Sequence, residues 1–110
     1  MRGEHLGELE ELVLLTVGSL YKKAYAVAIL EEITGNTSRN MDVTAIHSVL
    51  RRLEKKGFVS SEMGGATSER GGRRKRFFLL TQTGRRVIED TMELRLSLYN
   101  KLPKLAFSAV

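Results

Sequence analysis

The sequence contains no cysteine, which excludes disulfides, thiolate metal sites and cysteine nucleophiles together and fits an intracellular, cytoplasmic protein. It also lacks a long apolar run. The most apolar stretch near the start, residues 12–20, is too short to span a bilayer and follows four glutamates rather than a basic leader, so neither a signal peptide nor a membrane anchor is expected. The only histidines are His5 and His47, far apart in the chain and without enough other ligands to argue for a metal site. The acidic pairs Glu10-Glu11, Glu31-Glu32 and Glu89-Asp90 are sequence neighbours that diverge by about 100° on a helix, so they read as solvated faces rather than acid/base pairs. Gly64-Gly65 and Gly71-Gly72 lack the Lys-Ser/Thr that follows in a phosphate-binding loop. No catalytic reading and no cofactor survive these absences.

What is present is a chain of 110 residues with 42% apolar and 28% charged residues and a net charge of +5. That length is one domain, able to bury a core yet small enough to depend on a partner subunit. The charge is segregated. Between Arg51 and Arg86 eleven Lys/Arg face three Asp/Glu, a local +8 that leaves −3 for the remainder. A positive segment on a mildly acidic body suits a polyanion-binding face.

Apolar periodicity predicts the elements in order. Leu6, Leu9, Val13, Val17 and Leu20 define a first helix over residues 6–20, with Leu12, Leu14 and Leu15 outside its main stripe, which calls for a deep core or a second subunit. Ala26, Ile29, Leu30 and Ile33 define a second helix over 24–33, closed by turn chemistry at 35–40 with Gly35 available for a left-handed cap. Asp42 sits as the N-cap of a third helix whose buried stripe is Ile46, Val49, Leu50 and Leu53, and Gly57 follows as its C′ residue. Residues 58–63 and 75–80 read as two strands flanking a glycine- and arginine-rich tip, a hairpin that must pack Phe58, Phe77 or Phe78, and Leu80 on the helices. Thr81 caps a last helix with two apolar stripes, one of Val87, Thr91, Leu94, Leu98 and Leu102, the other of Ile88, Met92, Leu96 and Tyr99. Pro103 ends or kinks it.

The far face of the third helix carries Thr44, Ser48, Arg51 and Lys55, with His47 and Arg52 on its shoulders. Short hydroxyls allow close approach, and the cations reach phosphates and guanine edges. The helix therefore reads as a DNA-recognition helix, supplemented by Arg70, Arg73, Arg74, Lys75 and Arg76 of the hairpin, whose bland alternative is a solvated charged loop. For His47, DNA contact, plain surface filling and, least favoured, a pH switch stay open. The excess apolar surface at Leu12, Leu15, Met92, Leu94, Leu98, Tyr99 and Leu102 reads as a dimer contact.

Helix, helix, recognition helix, hairpin, helix gives a fold that is mainly α with a small β-hairpin: a winged helix-turn-helix with an added C-terminal dimerisation helix. Residues 1–81 form the DNA-binding unit and 82–110 the dimerisation helix of the same compact body. Leu6-Gly7-Glu8-Leu9-Glu10 with Val13-Leu14, then Leu50-Arg51-Arg52-Leu53-Glu54-Lys55-Lys56-Gly57-Phe58-Val59, then Phe77-Phe78-Leu79-Leu80-Thr81-Gln82-Thr83-Gly84 resemble, in order and spacing, segments of the PadR family of transcriptional regulators. The resemblance implies a homodimer on double-stranded DNA, usually a repressor, whose last helix crosses to the partner. It also implies, for some relatives of this size, a flat apolar effector between subunits. Two departures stand out: Ala24-Tyr25-Ala26 replaces a glycine-containing tyrosine motif, and His47 stands where tyrosine is common. The competing reading, a winged helix that recognises protein or RNA within a larger complex, calls for exposed apolar residues on the third helix, where this chain has Thr, Ser, Arg and Lys.

Overall fold

The computed structural model describes residues 6–64 and 75–103. Along them run α1 (Glu8–Ser19), α2 (Ala26–Asn36), α3 (Val43–Lys55), β1 (Val59–Met63), β2 (Arg76–Leu80) and α4 (Gln82–Asn100). The core lies where α1, α2 and α3 meet under the hairpin: Val13, Leu14, Val17, Ile29, Ile33, Ile46, Val49, Leu50, Leu53, Phe58 and Phe78 are buried together. The four-residue stripe on α3 is wholly inside, as its spacing predicts. Each such side chain contributes roughly 1.5–3 kcal/mol by leaving water.

Both ends of α3 are fixed by local chemistry. The Asp42 carboxylate accepts the Ala45 N–H at 3.2 Å, and Gly57, at φ +84°, lets the chain reverse. There the Phe58 N–H reaches the Leu53 carbonyl at 2.9 Å and the Gly57 N–H the Glu54 carbonyl at 3.0 Å, the paired bonds of a left-handed helix stop. Leu53 and Phe58 are both buried, closing that stop with an apolar contact.

Two boundaries of α2 differ from the sequence expectation. The helix starts at Ala26 because Ala24 and Tyr25 are drawn into the sheet: Tyr25 bridges Phe77, and the Phe78 N–H donates to the Ala24 carbonyl at 3.1 Å. It ends at Asn36, so Gly35 is helical and no left-handed cap forms there. Side chains close the last turn instead, the Asn36 amide donating to the Glu32 carbonyl at 2.7 Å and the Thr37 hydroxyl to the Ile33 carbonyl at 2.8 Å.

The hairpin is antiparallel, with Val59 opposite Leu80 and Met63 opposite Arg76. Phe58, Val59 and Phe78 anchor it to the helices, while Phe77 meets Tyr25 edge to face at 6.0 Å. Thr81 then joins hairpin to α4: its hydroxyl accepts the Gly84 N–H at 2.9 Å and donates to the Gly57 carbonyl at 2.6 Å. Gly84 and Ile88 seat α4 on the body, with Val87 and Met92 half-buried, and from Glu93 to Asn100 every residue is exposed. The protruding helix raises the radius of gyration to 16.8 Å, against ~13 Å for a compact chain of about 100 residues.

Candidate nucleic-acid interface

Helix α3 presents Thr44, His47, Ser48, Arg51 and Lys55 to solvent along one side. The hairpin stands beside it. Lys75 holds its ammonium 5.5 Å from the centre of the Tyr25 ring, and Arg76 donates from Nη1 to the Ser61 hydroxyl at 2.8 Å, which donates in turn to the Glu54 carboxylate at 2.8 Å. The relay from Arg76 through Ser61 to Glu54 links both strands to α3. Between them lies a groove of about 510 Å³ that brings His47 and Arg51 together with Lys75 and Arg76, above a floor of Leu50 and Phe78. Arg70, Arg73 and Arg74 lie outside the described residues.

Arg52 is placed differently from its helical neighbours. Its Nε lies 3.4 Å from Glu10 of α1, and Lys56 reaches both oxygens of the same carboxylate at 3.2 and 3.3 Å. Glu10 is buried, not solvated as its pairing with Glu11 in the sequence suggested. Burial alone would raise its pKa, but the Gly7 N–H at 2.9 Å, Lys56 and Arg52 outweigh it and hold the carboxyl below its ordinary 4.5. Glu11 is buried as well, gripped by Arg95 of α4 through Nε at 3.2 Å and Nη2 at 2.6 Å. That carboxylate raises the Arg95 pKa. A sequence signal for Glu10 existed: it falls three, four and seven residues before Val13, Leu14 and Val17, on the stripe that α1 buries.

A second surface is apolar. Leu94, Leu98 and Tyr99 are 61%, 56% and 68% exposed, and Leu15, Leu96 and Leu102 are bare beside them. Leu12 and Met92 instead lie half-buried against the chain's own core. Among the described residues no group of three or more His, Asp or Glu could hold a metal, and no helix is long and apolar enough to cross a membrane.

The pattern of the transcriptional regulator PadR-like family matches residues 12–90, well over half of the chain. The protein belongs to the PadR-like family. Solved structures agree in fold: a PadR family transcription regulator from hypervirulent Clostridium difficile superposes with a TM-score of 0.69 at 19% identity, covering 86% of this chain and 93% of that one. A PadR family regulator from Eggerthella lenta gives 0.63 at 23% identity over 84% and 80%, and a PadR-like regulator from Bacillus cereus 0.61 at 12% identity over 86% and 93%. No curated protein matches the chain. As a PadR-like protein it is a DNA-binding transcriptional regulator, in a family of regulators and not of enzymes. Within the matched segment Tyr25 serves at once as bridge partner and ring contact of Phe77 and as the platform under Lys75.

Proposed function

We propose that this PadR-like protein is a sequence-specific repressor in the cytoplasm that binds double-stranded DNA as a homodimer. The observation that carries the reading is the exposed face of Thr44, Ser48, Arg51 and Lys55 on α3, with Arg51 sharing one groove with Lys75 and Arg76. Helix α3 enters the major groove, with Ser48 and Arg51 at base edges and Thr44 and Lys55 at the backbone. His47 lines the same groove, and the arginines of the wing tip, Arg70, Arg73 and Arg74, reach the flanking phosphates.

The bare row of Leu94, Leu98, Tyr99 and Leu102 supports the dimer, because a monomer would leave this contiguous apolar strip in water. Packed across a two-fold axis, α4 of one protomer covers the cleft of about 820 Å³ on the other, where Leu15, Val17, Leu80 and Ile88 are joined by the polar Gln82, Arg85 and Glu89. A flat apolar effector between subunits would share that cleft. The symmetry sets two recognition helices against half-sites about 34–36 Å apart, or a multiple of that, on a pseudo-palindrome.

Mobility shifts on the DNA upstream of the protein's own gene test the reading. A dimer touching roughly 6–10 phosphates loses about 10³–10⁵ in affinity between 50 and 200 mM salt. Binding that is flat with salt, or stronger to single-stranded RNA, overturns it. A promoter fusion that rises on deletion of the gene distinguishes a repressor from an activator.

A further inference from the structure

We propose that Glu10 is a charge clamp: it holds Arg52 and Lys56 off the DNA backbone, limits how many phosphates α3 neutralises, and so favours the cognate sequence over bulk DNA. The inference rests on the DNA-binding reading of α3 and concerns residues outside its exposed reading face.

The three partners are unequally placed. The Glu10 side chain is 9% exposed, whereas those of Arg52 and Lys56 are 55% and 34% exposed. The anion is thus fixed inside, pinned further by the Gly7 N–H at 2.9 Å, and the cations are at the surface on long, flexible stems. They can choose between Glu10 and an incoming phosphate. Arg52, in the last turn of α3, and Lys56, its C-cap, lie one turn apart and about 100° round from Arg51 and Lys55, on the flank next to α1, where a backbone phosphate passes when the helix sits in a groove. Two cations to one carboxylate leaves the cluster positive, so DNA is not repelled. It has to compete.

The consequence falls on specificity. Contacts to phosphate carry no sequence information, and each adds equally to cognate and random DNA. Releasing Arg52 and Lys56 strengthens binding to every duplex and erodes the lead of the one that Ser48 and Arg51 read. Glu11 provides a control, since it is similarly buried but pairs with a single cation, Arg95 on α4, away from α3.

The test measures binding of the full-length protein to a random-sequence duplex and to its own upstream duplex by fluorescence anisotropy between about 50 and 200 mM salt. Each phosphate gained steepens the plot of log K against log salt by about 0.9, a further fall of roughly 3–4-fold across this fourfold range. Glu10→Gln is expected to tighten random-duplex binding at low salt, steepen the slope by at least one such step and narrow the preference for the upstream duplex. Adding Arg52→Gln and Lys56→Gln restores the original slope. In the wild-type background the same two substitutions leave it nearly unchanged, and Glu11→Gln steepens nothing. An unchanged or shallower slope for folded Glu10→Gln, with lower thermal stability its only effect, makes the cluster a structural ion pair and overturns the proposal. If Glu10→Gln does not fold, the wild-type-background arm decides alone, because a slope flattened by one step or more there means Arg52 and Lys56 already sit on DNA. Failure of the unmutated protein to bind any duplex overturns the DNA-binding reading, and the clamp with it, before a variant is compared.

Discussion

Replacing Gly84 by alanine should be among the most damaging single-atom additions in the molecule. A Cβ built on Gly84 lies 1.9 Å from the Phe58 carbonyl oxygen, 2.8 Å from its carbon and 3.0 Å from its Cα. All three are backbone atoms at the exit of α3, which cannot swing aside as a side-chain tip would. Restoring even 3.0 Å to the oxygen requires α4 and the hairpin base to part by more than about 1 Å, and such overpacking costs typically 1–3 kcal/mol. The parting also pulls on two bonds in the same joint, Thr81 N–H to the Phe58 carbonyl at 3.1 Å and the Thr81 hydroxyl to the Gly57 carbonyl at 2.6 Å, each worth about 0.5–1.5 kcal/mol. Against this stands the helix preference for alanine over glycine, about 1 kcal/mol. The net expectation is a loss of about 1–5 kcal/mol, or roughly 4–40 °C in Tm for a domain of this size. Thermal unfolding followed by circular dichroism at one fixed protein concentration checks it, since dimerisation makes Tm concentration-dependent. Gly35→Ala is the control of opposite sign, as Gly35 is helical with nothing within 4 Å of the added carbon. It should stabilise by about 0.4–1 kcal/mol. A Gly84→Ala protein that melts within about 2 °C of wild type would show that the joint does not close as described.

Three further expectations concern DNA, the dimer and acid. Arg51→Ala should cost about 1–3 kcal/mol on the cognate site and relax its sequence preference, whereas neutralising Lys75 should weaken cognate and random duplexes alike; equal, unselective losses in competition assays would mean that α3 does not read bases. Leu98→Asp places a charge in the proposed contact of α4 and should give monomers with DNA affinity largely lost, so an unchanged sedimentation coefficient with intact binding would remove α4 from the interface. Because the folded-state pKa of Glu10 is depressed below 4.5, its contribution to stability is present above about pH 4.5 and drains away as pH falls through the folded value. The Tm of wild type should therefore drop faster than that of Glu10→Gln on acidification below that point, and parallel curves would contradict the assignment.

How much of this was legible in the sequence depends on the range of the interaction that decides each feature. The stripe Ile46, Val49, Leu50 and Leu53, the Asp42 cap and the Gly57 stop all act within one or two turns of α3, and all three stand where spacing put them. The ends of α2 were misread for opposite reasons. At its start a distant strand captures Tyr25, which no local pattern announces. At its end Gly35 looked like a backbone solution, but the side chains of Asn36 and Thr37 bond back to the Glu32 and Ile33 carbonyls instead. The surplus of apolar residues on α4 was legible as composition, and the structure leaves Leu94, Leu98 and Tyr99 bare.

Electrostatics was the least legible layer, because charges pair across the fold. Arg52 and Lys56 meet Glu10 across 42 and 46 residues, and Arg95 meets Glu11 across 84. Counting cations along α3 gives four, Arg51, Arg52, Lys55 and Lys56, and from sequence each seems equally available to a polyanion. In the fold two of them lean on a buried carboxylate, and Glu54 stands among them, engaged with Ser61. A helix's charge read from sequence is therefore an upper bound on what it offers to DNA. The part withheld is set by whichever element packs on its flank, and here that element is α1, which also grips α4 through Glu11. Two adjacent residues of α1 thus hold cations on different elements, Glu10 at the end of α3 and Glu11 on α4, so the Glu11→Gln control is read with oligomeric state measured beside DNA binding.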